Sequence, residues 1–133
     1  MSYAFWVKIN TTWETQWLDG IRWYSTDGSS NHTSRQEFYN ICTKVGTWYK
    51  GGSISGKDIT PGVWTHIAAT FDYNTGIACF YLNGILQGTT TNVDTTHYCR
   101  GDFYIGDNNV DICENDVRIY DHCLSAAEVK EIS

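Results

Sequence analysis

The chain has 133 residues, 15 of them acidic and 9 basic, for a net charge of −6 at pH 7. That length suits one domain rather than two, and the charge argues against a nucleic-acid backbone or an anionic bilayer as the main partner, since both demand concentrated Lys and Arg. Six Trp, nine Tyr and five Phe beside a single Pro describe a strand-and-turn protein with a large aromatic payload, and no apolar run reaches the length of a transmembrane helix.

Met1 leads directly into a strand pattern at residues 3–9, Tyr3-Ala4-Phe5-Trp6-Val7-Lys8-Ile9, with no signal-peptide pattern before it. Residues 10–16 are a polar connection. A second strand is expected at 17–25, where the interior Gly20 marks a bulge or a close backbone approach. Residues 26–35 form a loop dense in turn formers. Two strands follow at about 36–43 and 45–50, and 51–62 reads as another loop, with Gly51, Gly52, Gly56 and Pro61-Gly62.

The strongest local pattern is at 63–84. Two strand-like runs, 63–71 and 77–82, flank the turn cluster Asp72-Tyr73-Asn74-Thr75-Gly76 and predict an antiparallel hairpin. Asn83-Gly84 then has the chemistry of a tight turn. In the first run Ile67, Ala69 and Phe71 share one face, and Trp64, His66, Ala68 and Thr70 the other. Neither face is strongly polar, so this strand is expected inside a sheet, covered on both sides or with one face lining a cleft. Residues 89–101 are Thr-rich and loop-like, with room for a short strand at 89–93. A strand at 102–106, a turn at 107–109 and a last strand at 115–120 come next. Ser125 with Glu128 three residues on is a capping box for a helix over 125–132, and Leu124 is placed to staple to Val129. The pattern predicts an all-β chain, one antiparallel two-sheet β-sandwich domain over residues 1–133 with a short C-terminal helix.

Five Cys, an odd number, stand at 42, 79, 99, 113 and 123. None forms a CxxC pair, which argues against a zinc site. They read either as small buried thiols of a reducing compartment or as a set holding one disulfide, with Cys99–Cys123 the first pair to test.

The hairpin residues Trp64, His66, Ile67, Ala68, Thr70, Phe71 and Gly76, followed by Tyr81-Leu82-Asn83-Gly84, resemble the concanavalin A-like lectin/glucanase superfamily in its laminin-G-like jelly-roll branch. The closing Ile105-Gly106, Asp116-Val117-Arg118-Ile119-Tyr120 and Leu124-Ser125 are similar to that family's last strands and helix, and Ala4-Phe5-Trp6-Val7-Lys8 to its early Trp strand. The resemblance covers most of the chain, with 10–62 the least typical part. It implies a jelly-roll sandwich. Family members usually carry one or two further strands before the early Trp strand, paired beside the closing strand. The resemblance therefore implies either a trimmed form or an edge, along 3–9 or 115–120, completed by a partner or another subunit. The closing segment is also similar to domains of phage virion and bacterial surface proteins, which implies a virion or cell-surface setting.

That superfamily includes glycosidases, whose chemistry needs two carboxyl groups flanking one bond. The nearest candidate, Asp111-Ile112-Cys113-Glu114-Asn115-Asp116, has the wrong spacing, because Asp111 and Glu114 fall on opposite faces of a regular strand. The expectation is a non-enzymatic module that binds a cell-surface glycan or a protein receptor. The alternative is an assembly subunit that forms homo-oligomers or joins a virion protein. Sugar binding needs an exposed aromatic platform with polar neighbours. The candidates are Trp13, Trp17, Trp23, Trp48 and Tyr49, whereas Trp6, Trp64 and His66 match framework positions and are expected in the packing. Related domains often hold calcium at a loop edge through Asp and Asn oxygens. Here Asp107, Asn108, Asn109 and Asp111 are the candidate calcium ligands, with Asp72 and Asn74 or Asp27 and Asn31 as alternatives.

Overall fold

The computed structural model describes residues 1–10, 18–24, 35–41, 44–49, 52–91, 93, 103–105 and 111–133. For the strands at 18–24, 35–41, 44–49, 52–58 and 103–105 it describes the backbone and register, with side chains only at Ile54, Asp58 and Ile105. In chain order the elements are β1 (Ser2–Ile9), β2 (Leu18–Tyr24), β3 (Arg35–Ile41), β4 (Lys44–Tyr49), β5 (Gly52–Asp58), β6 (Thr65–Asp72), β7 (Ile77–Leu82), β8 (Ile85–Thr90), β9 (Phe103–Ile105), β10 (Ile112–Tyr120) and α1 (Ala126–Ile132). They form two five-stranded antiparallel sheets, ordered β10-β1-β6-β7-β8 and β5-β4-β3-β2-β9.

Alternation along β1 builds the core. Tyr3, Phe5, Val7 and Ile9 fall on one face and join Ile67, Ala69, Phe80 and Leu82 from the same sheet. Ile54 of the second sheet and Ile59 complete that cluster. The sheets approach closely where β8 faces β5: a Cβ added at Gly88 would meet Ile54 Cγ2 at 2.7 Å. The other face of β1 and β6 is covered by the helix, with Ala4, Ala68, Tyr81, Leu124 and Val129 in a second cluster. β6 is thus buried on both faces, the first of the two placements its sequence allows, because one face meets the opposite sheet and the other meets the helix.

Short polar devices hold these layers in register. Ser125 Oγ accepts from Glu128 N, and Glu128 Oε2 accepts from Ser125 N at 2.8 Å, which completes the capping box. Leu124 and Val129 pack in one cluster, as the staple requires. Ser2 Oγ donates to His122 O at 3.0 Å and accepts from Leu124 N at 2.9 Å, tying the turn after β10 to the first strand. Asn83 and Gly84 both have positive φ, 48° and 75°, the backbone of a two-residue type I′ hairpin turn. Gly84 is needed twice over, since a Cβ there would also lie 2.7 Å from Ser133 Oγ.

Four expectations change. Residues 52–58, expected as loop, form β5, because β4 supplies a partner backbone and Ile54 a buried anchor despite the Gly- and Ser-rich composition. The strand expected at 89–93 begins at Ile85, directly after the turn. The last strand starts three residues early, at Ile112. Residues 3–9 are not an edge: β1 lies between β10 and β6, so among the described strands the free edge on that side belongs to β10. The register of β2 against β3 shifts between Asp19 and Ile21, at the glycine the sequence marks as a bulge.

Candidate functional site

The helix leaves part of the outer face of the first sheet uncovered. Strand alternation puts Trp6 and Lys8 of β1 on that face, with Trp6 paired to His66 on one side and to Asn115 on the other. Trp64 stands just before β6, beyond the last paired residue, and remains 41 % exposed. The Lys8 ammonium lies over its ring, 5.4 Å from the centroid, a cation–π contact. Trp6 meets His66 edge-on, at 5.3 Å between centroids and 64° between planes.

His66 is 2 % exposed. Its backbone N–H donates to Asn83 Oδ1 at 2.9 Å, but its ring Nδ1 is buried without a hydrogen-bond partner. Burial first, and then Arg118, push its pKa below the ordinary value against the opposing pull of Asp116. On β10 the register slips between Ala4 and Trp6, and Asp116 takes a positive φ of 52° in the slip. Its carboxylate accepts two bonds from Arg118, 2.9 Å from Nε and 2.6 Å from Nη2. That fork holds the Asp116 carboxyl below its usual range. The patch therefore combines an exposed indole, a half-buried indole, an ammonium and a guanidinium–carboxylate pair, which suits a ligand with an apolar face and polar substituents.

A laminin-G family model, described as the concanavalin A-like lectin/glucanases superfamily, matches residues 1–130. The chain belongs to this superfamily. Among curated proteins no sequence matches it. Among solved structures, this superfamily domain is similar to the receptor-binding domain of botulinum neurotoxin D, with a TM-score of 0.77, 16 % identity, and 98 % of this chain and 36 % of that one covered. It is similar to the serotype D ligand-binding domain in complex with N-acetylneuraminic acid, with a TM-score of 0.71, 15 % identity and coverages of 98 % and 35 %. It is also similar to a Bacteroides ovatus protein thought to bind carbohydrate, with a TM-score of 0.69, 17 % identity and coverages of 98 % and 40 %. The chain thus spans roughly a third of the length of these structures, and the likeness establishes the jelly-roll fold.

Within the superfamily domain, the sequence candidates fall partly outside the described residues. Trp13 and Trp17, with Asp107, Asn108, Asn109, Asp27 and Asn31, lie outside the described residues. Trp23 of β2 is paired with Gln36 and Phe103, and Tyr49 of β4 with the same Gln36. Trp48 is paired with Glu37 and Ser53, one cross-strand row away.

Asp111 is the described member of the calcium candidates, and one of its carboxylate oxygens accepts from Asn10 Nδ2 at 3.0 Å. At the alternative site, the two carboxylate oxygens of Asp72 accept from Asn74 N at 2.9 Å and Thr75 Oγ1 at 2.7 Å, which is turn chemistry. The pair Cys99–Cys123 includes Cys99, which lies outside the described residues; among the described residues Cys79 and Cys113 are free thiols at half-buried sites and Cys123 is an exposed free thiol. Its Sγ has the backbone carbonyl of Leu124 as its contact, at 3.9 Å. Sequence reasoning assigned Trp64 to the packing, and the structure corrects this, because Trp64 precedes the paired part of β6 and is 41 % exposed. The alternation of Trp6 and Lys8 on one face was the readable signal.

Proposed function

We propose that this domain is a non-catalytic module that binds a glycan, free or on a receptor, at the surface of a phage particle or bacterial cell. The observation that carries the reading is Trp64, an exposed indole at the end of β6 in contact with Lys8, on the sheet face that also carries Trp6 and the Arg118–Asp116 pair. A pyranose ring can lay its apolar face on such an indole while its hydroxyls meet the charged rim. The receptor-binding and sugar-holding neighbours support the choice of class. The arrangement of acids on and just before β10 supports the absence of catalysis. Glu114 pairs with Val7 on the core side, Asp116 is engaged by Arg118, and Asp111 by Asn10. Virion or surface-protein genes beside this one would bear out the setting, and a metabolic operon would count against it.

The test is a glycan array followed by calorimetry. Trp64→Ala is expected to weaken the best glycan about tenfold while leaving the melting temperature within a few degrees, because the ring is not in the core. A wild-type domain that binds no glycan, or a variant that binds as tightly as the wild type, would overturn the reading.

A second reading, an assembly subunit, draws on the edge strand β8, where Ile85 is 66 % and Leu86 51 % exposed. It predicts sedimentation that becomes heavier with concentration and reverts with Ile85→Lys. A monomer at every concentration removes it.

A further inference from the structure

We infer that Asn83 is a latent self-modification site: the folded domain holds it unreactive, and opening of the β7–β8 turn lets the backbone nitrogen of Gly84 convert it to aspartate and isoaspartate. The inference is independent of the glycan reading.

Asn83-Gly84 is the one Asn-Gly pair in the chain. A glycine after asparagine presents a backbone nitrogen that no side chain shields, so it can approach the neighbouring side-chain amide. The Gly84 nitrogen attacks Asn83 Cγ, a C–N bond forms, and the attacking nitrogen gives its proton to solvent. The Cγ–Nδ2 bond then breaks and Nδ2 leaves as ammonia. Water opens the resulting cyclic imide. Opening at Cγ yields aspartate. Opening at the backbone carbonyl yields isoaspartate, whose main chain runs through the former side chain. Water enters, ammonia leaves, and nothing is oxidised or reduced.

The fold blocks the first bond-forming step. Asn83 and Gly84 have φ of 48° and 75°, the positions of a type I′ turn. The ψ that belongs to such a turn puts the Gly84 nitrogen across the Cα–C bond from the Asn83 side chain, whereas ring closure needs the two side by side. The side chain is also committed elsewhere. Its Oδ1 accepts from His66 N at 2.9 Å, and Asn83 N donates to His66 O at 2.8 Å. The end of α1 wedges the turn in place, since a Cβ on Gly84 would lie 2.7 Å from Ser133 Oγ and 3.3 Å from Lys130 Cα. Rotation into the reactive geometry therefore requires the helix end to lift and the His66 bonds to break, which is a local opening of the fold. Each opening exposes Asn83 to an irreversible step. Aspartate leaves the turn usable, because a carboxylate oxygen accepts the same His66 N–H. Isoaspartate does not, because its extra main-chain atom alters the two-residue loop that sets the β7–β8 register.

The test incubates the folded chain and the same chain in guanidinium chloride at mildly alkaline pH with a thiol reductant. Peptide mass mapping reads conversion at Asn83, and isoaspartate methyltransferase labelling reads the isoaspartate share. Conversion is expected in denaturant and at least about tenfold more slowly in the folded domain, the ratio being set by the opening equilibrium. After removal of denaturant, isoaspartate chains are expected in the fraction that fails to refold, whereas an Asn83→Asp variant refolds with a melting temperature close to that of the wild type. Equal rates in the two states would show that the fold supplies no lock, and an Asn83 intact in both would show that the site is not reactive. Isoaspartate chains that refold as well as Asn83→Asp, or an Asn83→Asp variant that does not refold, would overturn the assigned consequence for the turn.

Discussion

Phe5→Ala is expected to destabilise the domain by about 3–5 kcal/mol, the range for truncating a fully buried phenylalanine. Phe5 has no exposed surface and sits at the middle of β1, which is itself paired on both sides. It contributes to the cluster that joins the two sheets through Ile54, and its ring lies 6.1 Å from that of Tyr3. Strands on either side hold the backbone in place, so the cavity left by the ring has little freedom to collapse. Loss of that much from a typical stability of about 5–15 kcal/mol lowers the melting temperature by roughly 10–20 °C. Ile119→Ala, at an exposed site of β10, is expected to change stability by no more than about 0.5 kcal/mol. Urea denaturation of both variants measures the difference. A Phe5→Ala loss below about 1 kcal/mol would show that the two sheets do not share this core.

Glu114→Gln is expected to stabilise the protein above neutral pH. Glu114 pairs with Val7 and so falls on the core side of edge strand β10, where its Oε1 is buried without a partner. Burial pushes its pKa from 4.5 up to about 7. Because the folded value is raised, the folded state holds the proton more tightly than the unfolded chain does. The associated stability is fully present below pH 4.5 and is lost as pH rises through 7. The residue is only partly buried, so solvent screening reduces the effect to about 1–2 kcal/mol. Burial lowers the pKa of His66, and that acts in the opposite sense, since its contribution is lost as pH falls. The difference between wild type and Glu114→Gln cancels the histidine and isolates the carboxylate. It is expected to be near zero at pH 4 and to favour Gln at pH 8, measured by urea midpoints across pH. A variant less stable than the wild type at pH 8 would mean that the carboxylate has a partner that needs its charge.

Glu114 also illustrates how far the residues alone can be read. The sequence marks Asp111–Asp116 as the nearest approach to a catalytic pair and rejects it on spacing. It does not reveal that Glu114 is placed toward the core, because the three residues by which β10 extends are set by pairing with Lys8, Val7 and Ile9. Trp64 is a second case. A family framework position suggests packing, yet exposure depends on what lies beyond the end of a strand, and sequence spacing does not carry that.

The residue pattern by itself determined the hairpin, its Asn-Gly turn, the capped helix and the interior place of β6 in its sheet, because each depends on contacts within a few residues or on strict alternation. Tertiary structure alone decided that β5 is a strand, that β10 rather than β1 is the free edge among the described strands, and that Trp6, Lys8, Trp64 and the Arg118–Asp116 pair share one face. Those residues come from three separate parts of the chain, and only long-range antiparallel pairing fixes which of them become neighbours.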